Sequence, residues 1–356
     1  MTKMEVVMNN RFGRKKLTSL MAALFATTGL SLDADDNSPD LKPLYNLAGT
    51  HYFKEYAGNP ILSPEKGTCD GAALGTMTIV KVNGVYHMYY EAWGAGDHDK
   101  SPDIYYHSLQ ICHATSTDGI HWSKDPANPV IPHGGPKDFD RGGTWDPFVL
   151  FEDGKFKMWY GGGVDEPGPE RVNDPWGFAE SADGYHWIKK GQLTPQDVIP
   201  HVEDDRVVHD KKTGHYFMYY LDRGPNPMLV MRAESPDEMH FDFAHAIPIH
   251  ITLPWGPFYK YPQTFQVGDT WYMVFGCPCV QGKDDTTGIA TSPDGLHWTA
   301  RNIALLPRAH DSAILKVADD LYVIYYGANR QQDLNNCDIR LAVFKGTLDD
   351  MLAPRK

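Results

Sequence analysis

The feature that most constrains this chain is a short motif that keeps returning. Thr117-Asp118-Gly119-Ile120-His121-Trp122 recurs as Ala182-Asp183-Gly184-Tyr185-His186-Trp187 and as Pro293-Asp294-Gly295-Leu296-His297-Trp298. A degraded copy stands at Pro236-Asp237-Glu238-Met239-His240-Phe241. Asp-Gly makes a tight turn because glycine accepts positive φ and aspartate bonds the nearby backbone. A second element alternates with the first: an apolar run, a turn and an aromatic run. It begins with Val82-Asn83-Gly84-Val85-Tyr86-His87-Met88-Tyr89-Tyr90 and returns around Asp153-Gly154, Thr213-Gly214, Gly268-Asp269 and Asp319-Asp320. That is a hairpin signature. A third strand precedes each Asp-Gly turn, and Arg340-Leu341-Ala342-Val343-Phe344 takes its place in the last unit. Five such units predict an all-β fold, a five-bladed β-propeller of four-stranded antiparallel blades around a central channel, over residues 59–350. A β-sandwich leaves the matched motifs unexplained. Repetition also makes the Asp and His residues of these turns structural.

Charge excludes one class of partner. The formal net charge is −13 and no basic stripe is present, so nucleic acid is not expected. At the N-terminus, Arg11, Arg14, Lys15 and Lys16 precede the apolar run Leu17 to Leu32, and acidic residues Asp33 to Asp36 follow. That order predicts an export signal over residues 1–34, then a lead-in over 35–58, with no membrane span after the signal is removed. The expected location is secreted or periplasmic. The five cysteines are odd in number and irregularly spaced, which is no disulfide framework, though one bridge is compatible with export.

In a propeller the innermost strands converge on the channel, so the residues opening them face one another. Those openings read Trp145-Asp146-Pro147, Glu203-Asp204-Asp205-Arg206, Tyr261-Pro262-Gln263 and His310-Asp311-Ser312, with Thr76 at the matching place in blade one and Asp70 six residues earlier. A repeated scaffold thus carries divergent polar residues at one equivalent position. Glycoside cleavage uses two carboxyls flanking the scissile bond, one as acid and one as base or nucleophile. Carboxylates gathered on one wall also push their pKa values apart, which separates those roles. Asp70, Asp146, Glu203, Asp204 and His310 are the catalytic candidates. Trp93, Arg141, Trp145, Arg223, Tyr261, Gln263, Asp311 and Arg330 are the substrate-binding candidates, the rings for stacking on sugar faces and the arginines for bidentate bonds.

The chain resembles the five-bladed propeller glycoside hydrolases, the group containing families 43, 32, 62, 117 and 130. The likeness rests on Asn59-Pro60-Ile61-Leu62-Ser63-Pro64, Trp145-Asp146-Pro147, the Asp-Gly-x-His-Trp turns and His310-Asp311-Ser312. It implies Asp146 as transition-state stabiliser or acid modulator, and Glu203 or Asp204 as the blade-three general acid. His310 resembles a fifth-blade His that points at a central cation or water, and the family-117 pattern also makes it an acid candidate. No cofactor is required, and a Ca²⁺ ion in the channel is left open. Blade one departs from the pattern: families 43 and 32 carry an Asp where Thr76 stands, so Asp70 is the expected stand-in. The reading is an exo-acting, inverting glycosidase acting on a poly- or oligosaccharide. A family-130-like phosphorylase and a non-catalytic sugar-binding propeller are the alternatives.

Overall fold

The hairpin and turn motifs fold into five separate four-stranded sheets. The computed structural model describes residues 41–94, 109–163, 175–194, 202–222, 229–251, 260–278, 285–329 and 337–353, with the backbone alone described at 202–204, 260–261, 277–278, 285, 310 and 329. Before the first complete blade come α1 (Lys42–Leu47) and β1 (Lys54–Glu55). Blade one is β2 (Ala73–Val82), β3 (Val85–Trp93), β4 (Leu109–Ser116) and β5 (Ser123–Lys124). Blade two is β6 (Gly143–Glu152), β7 (Lys155–Gly163), β8 (Trp176–Ser181) and β9 (Trp187–Gln192). Blade three is β10 (Val202–Asp210), β11 (His215–Asp222), β12 (Leu229–Ser235) and β13 (Ile247–Ile249). Blade four is β14 (Lys260–Val267), β15 (Thr270–Pro278), β16 (Asp285–Ser292) and β17 (Thr299–Pro307). Blade five takes β18 (His310–Ala318), β19 (Leu321–Asn329) and β20 (Cys337–Lys345), and α2 (Leu348–Leu352) follows. The five-bladed propeller expected from the repeats is what forms.

Blade five corrects the expected boundary at residue 59. Its outer strand is β1, which pairs antiparallel to β20 through Lys54↔Val343 and Glu55↔Ala342. Asn59 then clasps Leu341 of β20 with two side-chain bonds of 2.9 Å, as Asn128 clasps His113 of β4 with bonds of 2.8 and 2.7 Å. Leu41 and Leu44 are buried in the core cluster shared by blades one and five. Residues 41–58 are therefore part of the propeller, because joining the two ends of the chain in one sheet leaves the ring with no open seam. The expected export segment lies outside the described residues.

The Asp-Gly turns lock one blade to the next. Tyr89 of blade one donates its hydroxyl to the Gly184 carbonyl of blade two at 2.8 Å. Trp159 of blade two donates to the Glu238 carbonyl of blade three at 2.9 Å. Tyr219 of blade three donates to Gly295 of blade four, and Tyr325 of blade five to Gly119 of blade one, both at 2.8 Å. All four donors occupy one position of the aligned hairpins, and in blade four that position is Val274. No acceptor turn is required of blade five there, since its outer strand arrives from the N-terminus instead. Within each turn the aspartate caps its own loop, as where Asp118 accepts from the Ile120 and His121 amides at 2.8 Å. The structural reading of these residues stands. Cys69, ahead of β2, is joined to Cys112 of β4 in a disulfide.

Candidate active site

Every inner strand slips register once near its start. The breaks fall between Leu74 and Met77, Trp145 and Phe148, Glu203 and Arg206, Lys260 and Gln263, and His310 and Ala313. A bulge sets two residues against one and bends its strand, and the five bulges fall at equivalent places of the five inner strands. Aligned by their hairpins, the bulges carry Thr76, Asp146, Asp204, Tyr261 and Asp311 at one common place. Asp146 and Asp311 adopt φ of 45° and 50°. That left-handed geometry costs a non-glycine residue roughly 1–2 kcal/mol, and it recurs here at corresponding positions of two blades.

Between those bulges sits a carboxylate that the sequence reading passed over. Glu91 lies near the end of β3, and its Oε2 accepts from the backbone amide of Asp146 at 3.3 Å. Burial, followed by the charges of Asp146 and Asp311, holds the Glu91 carboxyl well above the usual carboxylate range. On the other side of Asp146, Asp205 has 0% exposure. Burial pushes its carboxyl well up, against the pull of Arg206 and with the push of Asp146. Neither Asp205 carboxylate oxygen has a hydrogen-bond partner among the described residues, nor has Nη2 of the buried Arg206. Arg206 Nη1 donates to the Asp205 carbonyl at 2.6 Å. Asp311, Glu91, Asp146 and Asp205 thus neighbour one another in the order of blades five, one, two and three. Gln263 completes the circuit at blade four, where it bonds both the amide and the carbonyl of Ile314 at 2.7 and 3.1 Å.

A sequence signal for Glu91 exists. In the aligned hairpins its position reads Glu91, Gly161, Leu221, Gly276 and Gly327, one residue after Tyr90, Tyr160, Tyr220, Phe275 and Tyr326. A lone acid in a column of glycines and one leucine is the divergence that marked Asp146.

The expected stand-in, Asp70, is placed elsewhere. It is buried and bound by Lys124 Nζ at 2.6 Å, by the Tyr90 hydroxyl at 3.0 Å and by Thr68 Oγ1 at 2.5 Å. Blade two repeats this set, with Asp140 bound by Lys189 at 2.5 Å and by the Tyr160 hydroxyl at 3.0 Å. Two copies of one ion-paired aspartate tie an inner-strand approach to an outer strand, so the role given to Asp70 is corrected to a structural one. Trp93 and Trp145 are buried and pack together with Ala73 and Leu109, beside the acids rather than on an open rim. Arg141 donates to the Asp138 carbonyl at 3.3 Å, and Gln263 is committed to Ile314. Glu203, Asp204, Tyr261 and His310 lie on the expected strands with their side chains outside the described set, and Arg223 and Arg330 lie outside the described residues. Among the described residues no group of three His, Cys, Asp or Glu is arranged to hold a metal ion.

Residues 76–251 match the glycosyl hydrolases family 32 N-terminal domain. Sucrose-6-phosphate hydrolase of Escherichia coli is 27% identical over 202 residues, which is 55% of this chain and 39% of that protein. The chain spans between about two fifths and about half of the length of the curated relatives it matches. Among solved structures, a candidate glycosidase from Bacteroides thetaiotaomicron aligns with a TM-score of 0.65 at 16% identity, covering 82% of this chain and 96% of that one. A β-1,2-mannobiose phosphorylase from Listeria innocua aligns with a TM-score of 0.60 at 13% identity, covering 82% and 96%. With the five blades and the family-32 match in hand, the chain is similar to the five-bladed β-propeller glycoside hydrolases in fold and, over residues 76–251, in sequence.

Proposed function

We propose that this protein is a glycosidase that hydrolyses a poly- or oligosaccharide, acting at a chain end with inversion at the anomeric carbon. The observation that carries the reading is the arc of Glu91, Asp146, Asp205 and Asp311, four buried carboxyls brought from four blades. Asp205 is the general acid. Burial keeps its proton on, so it can protonate the glycosidic oxygen as the bond to the anomeric carbon breaks. Asp146 stands in the middle, where its charge favours the oxocarbenium-like transition state and holds the proton on Asp205. Asp205 and Glu91 each feel Asp146, one from either side. An intervening carboxylate supports the wider separation that lets a water attack from the face opposite the leaving group. Near-complete enclosure of the four acids supports action on a terminal sugar rather than on the middle of a polymer. The charged, apolar and polar order of residues 11–36 supports a place of action outside the cytoplasm.

Hydrolysis is favoured over phosphorolysis on charge. Among the described residues, Arg206 is the one guanidinium felt by these carboxyls, and phosphate arriving beside them would meet net negative charge. A panel of aryl glycosides and of algal and plant oligosaccharides, each with and without inorganic phosphate, tests the reading. Turnover in phosphate-free buffer supports it. Turnover that depends on phosphate makes the protein a phosphorylase, and binding without turnover makes it a sugar-binding propeller.

A further inference from the structure

We infer that Glu91 is the carboxylate that blade one's inner strand lacks: it enters the centre from the second strand and serves as the proton acceptor for the attacking water. The inference rests on the hydrolase reading above and extends it.

Thr76 occupies the inner-strand place where blades two, three and five present Asp146, Asp204 and Asp311. Room for an acid on the neighbouring strand is made by Gly75. A Cβ there would stand 2.6 Å from the Trp93 ring and 3.3 Å from the Glu91 carboxyl carbon. Blade two inverts the arrangement. Trp145 replaces Gly75, Gly161 replaces Glu91, and a Cβ at Gly161 would fall 2.3 Å from the Trp145 indole nitrogen. The two hairpins therefore fill one volume from opposite strands, with the Trp145 indole from the inner strand in blade two and, from the second strand in blade one, the Trp93 indole with the Glu91 carboxyl beside it. Glu91 is then held against the strained bulge of Asp146 by the 3.3 Å bond from its amide.

More than a gathering of acids is present. Asp205 is completely buried with both carboxylate oxygens unpartnered among the described residues, and its charge is felt against Asp146. A buried donor in need of an acceptor on one side of Asp146, and a carboxylate on the other, are the two halves of an inverting site. The groups facing Glu91 are Asp146 from β6 and Asp311 from β18, with Asp205 and Arg206 of β10 one step beyond. Burial, then Asp146 and Asp311, raise Glu91 above the usual carboxylate range, which makes it a stronger proton acceptor than an ordinary carboxylate. In the step, water's oxygen bonds the anomeric carbon as the bond to the leaving oxygen breaks. Glu91 takes the water's proton and Asp205 gives its own to the leaving oxygen. Both return to their starting states through solvent.

The test uses the full chain and whichever aryl glycoside of the panel it turns over. Glu91→Gln is expected to lower kcat by at least about 100-fold with KM and melting temperature little changed. Glu91→Gly, which opens the site, is expected to regain turnover with azide. Azide attacks the anomeric carbon as an anion, needs no proton acceptor and leaves a glycosyl azide. The parent's acidic limb is expected well above the ordinary glutamate value of about 4.3. A parent that turns over nothing overturns the hydrolase reading and this inference with it. An active parent whose Glu91→Gln variant keeps more than about a tenth of its rate overturns Glu91 alone. So does a loss of rate in Glu91→Gln with no azide rescue and an acidic limb near 4.3. If Glu91→Gly does not fold, the Gln variant and the parent's acidic limb decide.

Discussion

Trp145 lies across Gly161 so closely that a single added carbon at 161 would sit 2.3 Å from the indole nitrogen. Trp145 immediately precedes Asp146, so this contact sets where the site's central carboxylate points. Gly161→Ala is expected to displace the indole, to lower stability by roughly 1–3 kcal/mol through overpacking, and to reduce kcat/KM as well. Urea unfolding and steady-state kinetics check the two effects. A fully active and fully stable Gly161→Ala protein contradicts this role for the contact.

Asp70 separates structure from chemistry. Its bonds to Lys124, Tyr90 and Thr68 are repeated around Asp140, so Asp70→Asn is expected to cost stability of about 1–3 kcal/mol and to leave kcat of the folded protein unchanged. Melting temperature and kcat, measured on the same preparation, decide between this account and a catalytic Asp70.

The ring has a seam at blades five and one, and Tyr325 closes part of it. Its buried hydroxyl bonds the Gly119 carbonyl at 2.8 Å. Tyr325→Phe strands that carbonyl and is expected to cost about 1–3 kcal/mol. Because Tyr89 and Tyr219 make the same bond at other seams, their Phe variants should lose similar amounts. Chemical denaturation of the three variants measures this directly.

Acid should loosen the seam of blades one and two. His87 Nδ1 and His113 Nε2 lie 3.1 Å apart in the interior, and His113 Nδ1 contacts Asp125 at 3.0 Å. Burial, then His113, lowers His87 to about 4, with Asp183 opposing. Burial likewise lowers His113, against Asp125. A histidine whose folded pKa lies below its unfolded value of about 6.5 takes up its proton more readily when unfolded. Its stabilising effect is complete above pH 6.5 or so and fades as pH falls toward 4. The loss for His87 is on the order of 3 kcal/mol. Urea midpoints from pH 7 to pH 4 should fall for the parent and fall less for His87→Phe. Parallel lines for the two proteins would contradict the assignment.

Much of the architecture was legible because it is written several times over. The Asp-Gly turns and aromatic hairpins carry their own chemistry, so five blades follow from pattern alone. The closure of blade five was not, because β1 is two residues long and pairs with a strand almost three hundred positions away. At the site, Asp146 stood out as a divergent residue at a repeated place, and Asp205 was within the expected acidic cluster. Glu91 does not show in the pattern of the inner strands because it stands on β3, and the volume it enters is shared by two strands. Asp70 misled for the converse reason. A buried acid next to a vacant position looks like a substitute until its lysine, on an outer strand fifty-four residues on, comes into view.

The most direct test of the account is Asp146→Asn. Asparagine tolerates the left-handed backbone that Asp146 adopts, so the bulge and fold should persist. Only the charge at the centre of the carboxyl arc is removed. Hydrolysis in phosphate-free buffer should fall at least about 100-fold, with melting temperature and sugar binding retained. An Asp146→Asn protein that hydrolyses its substrate as fast as the parent would contradict the claim that these converging carboxyls carry the chemistry.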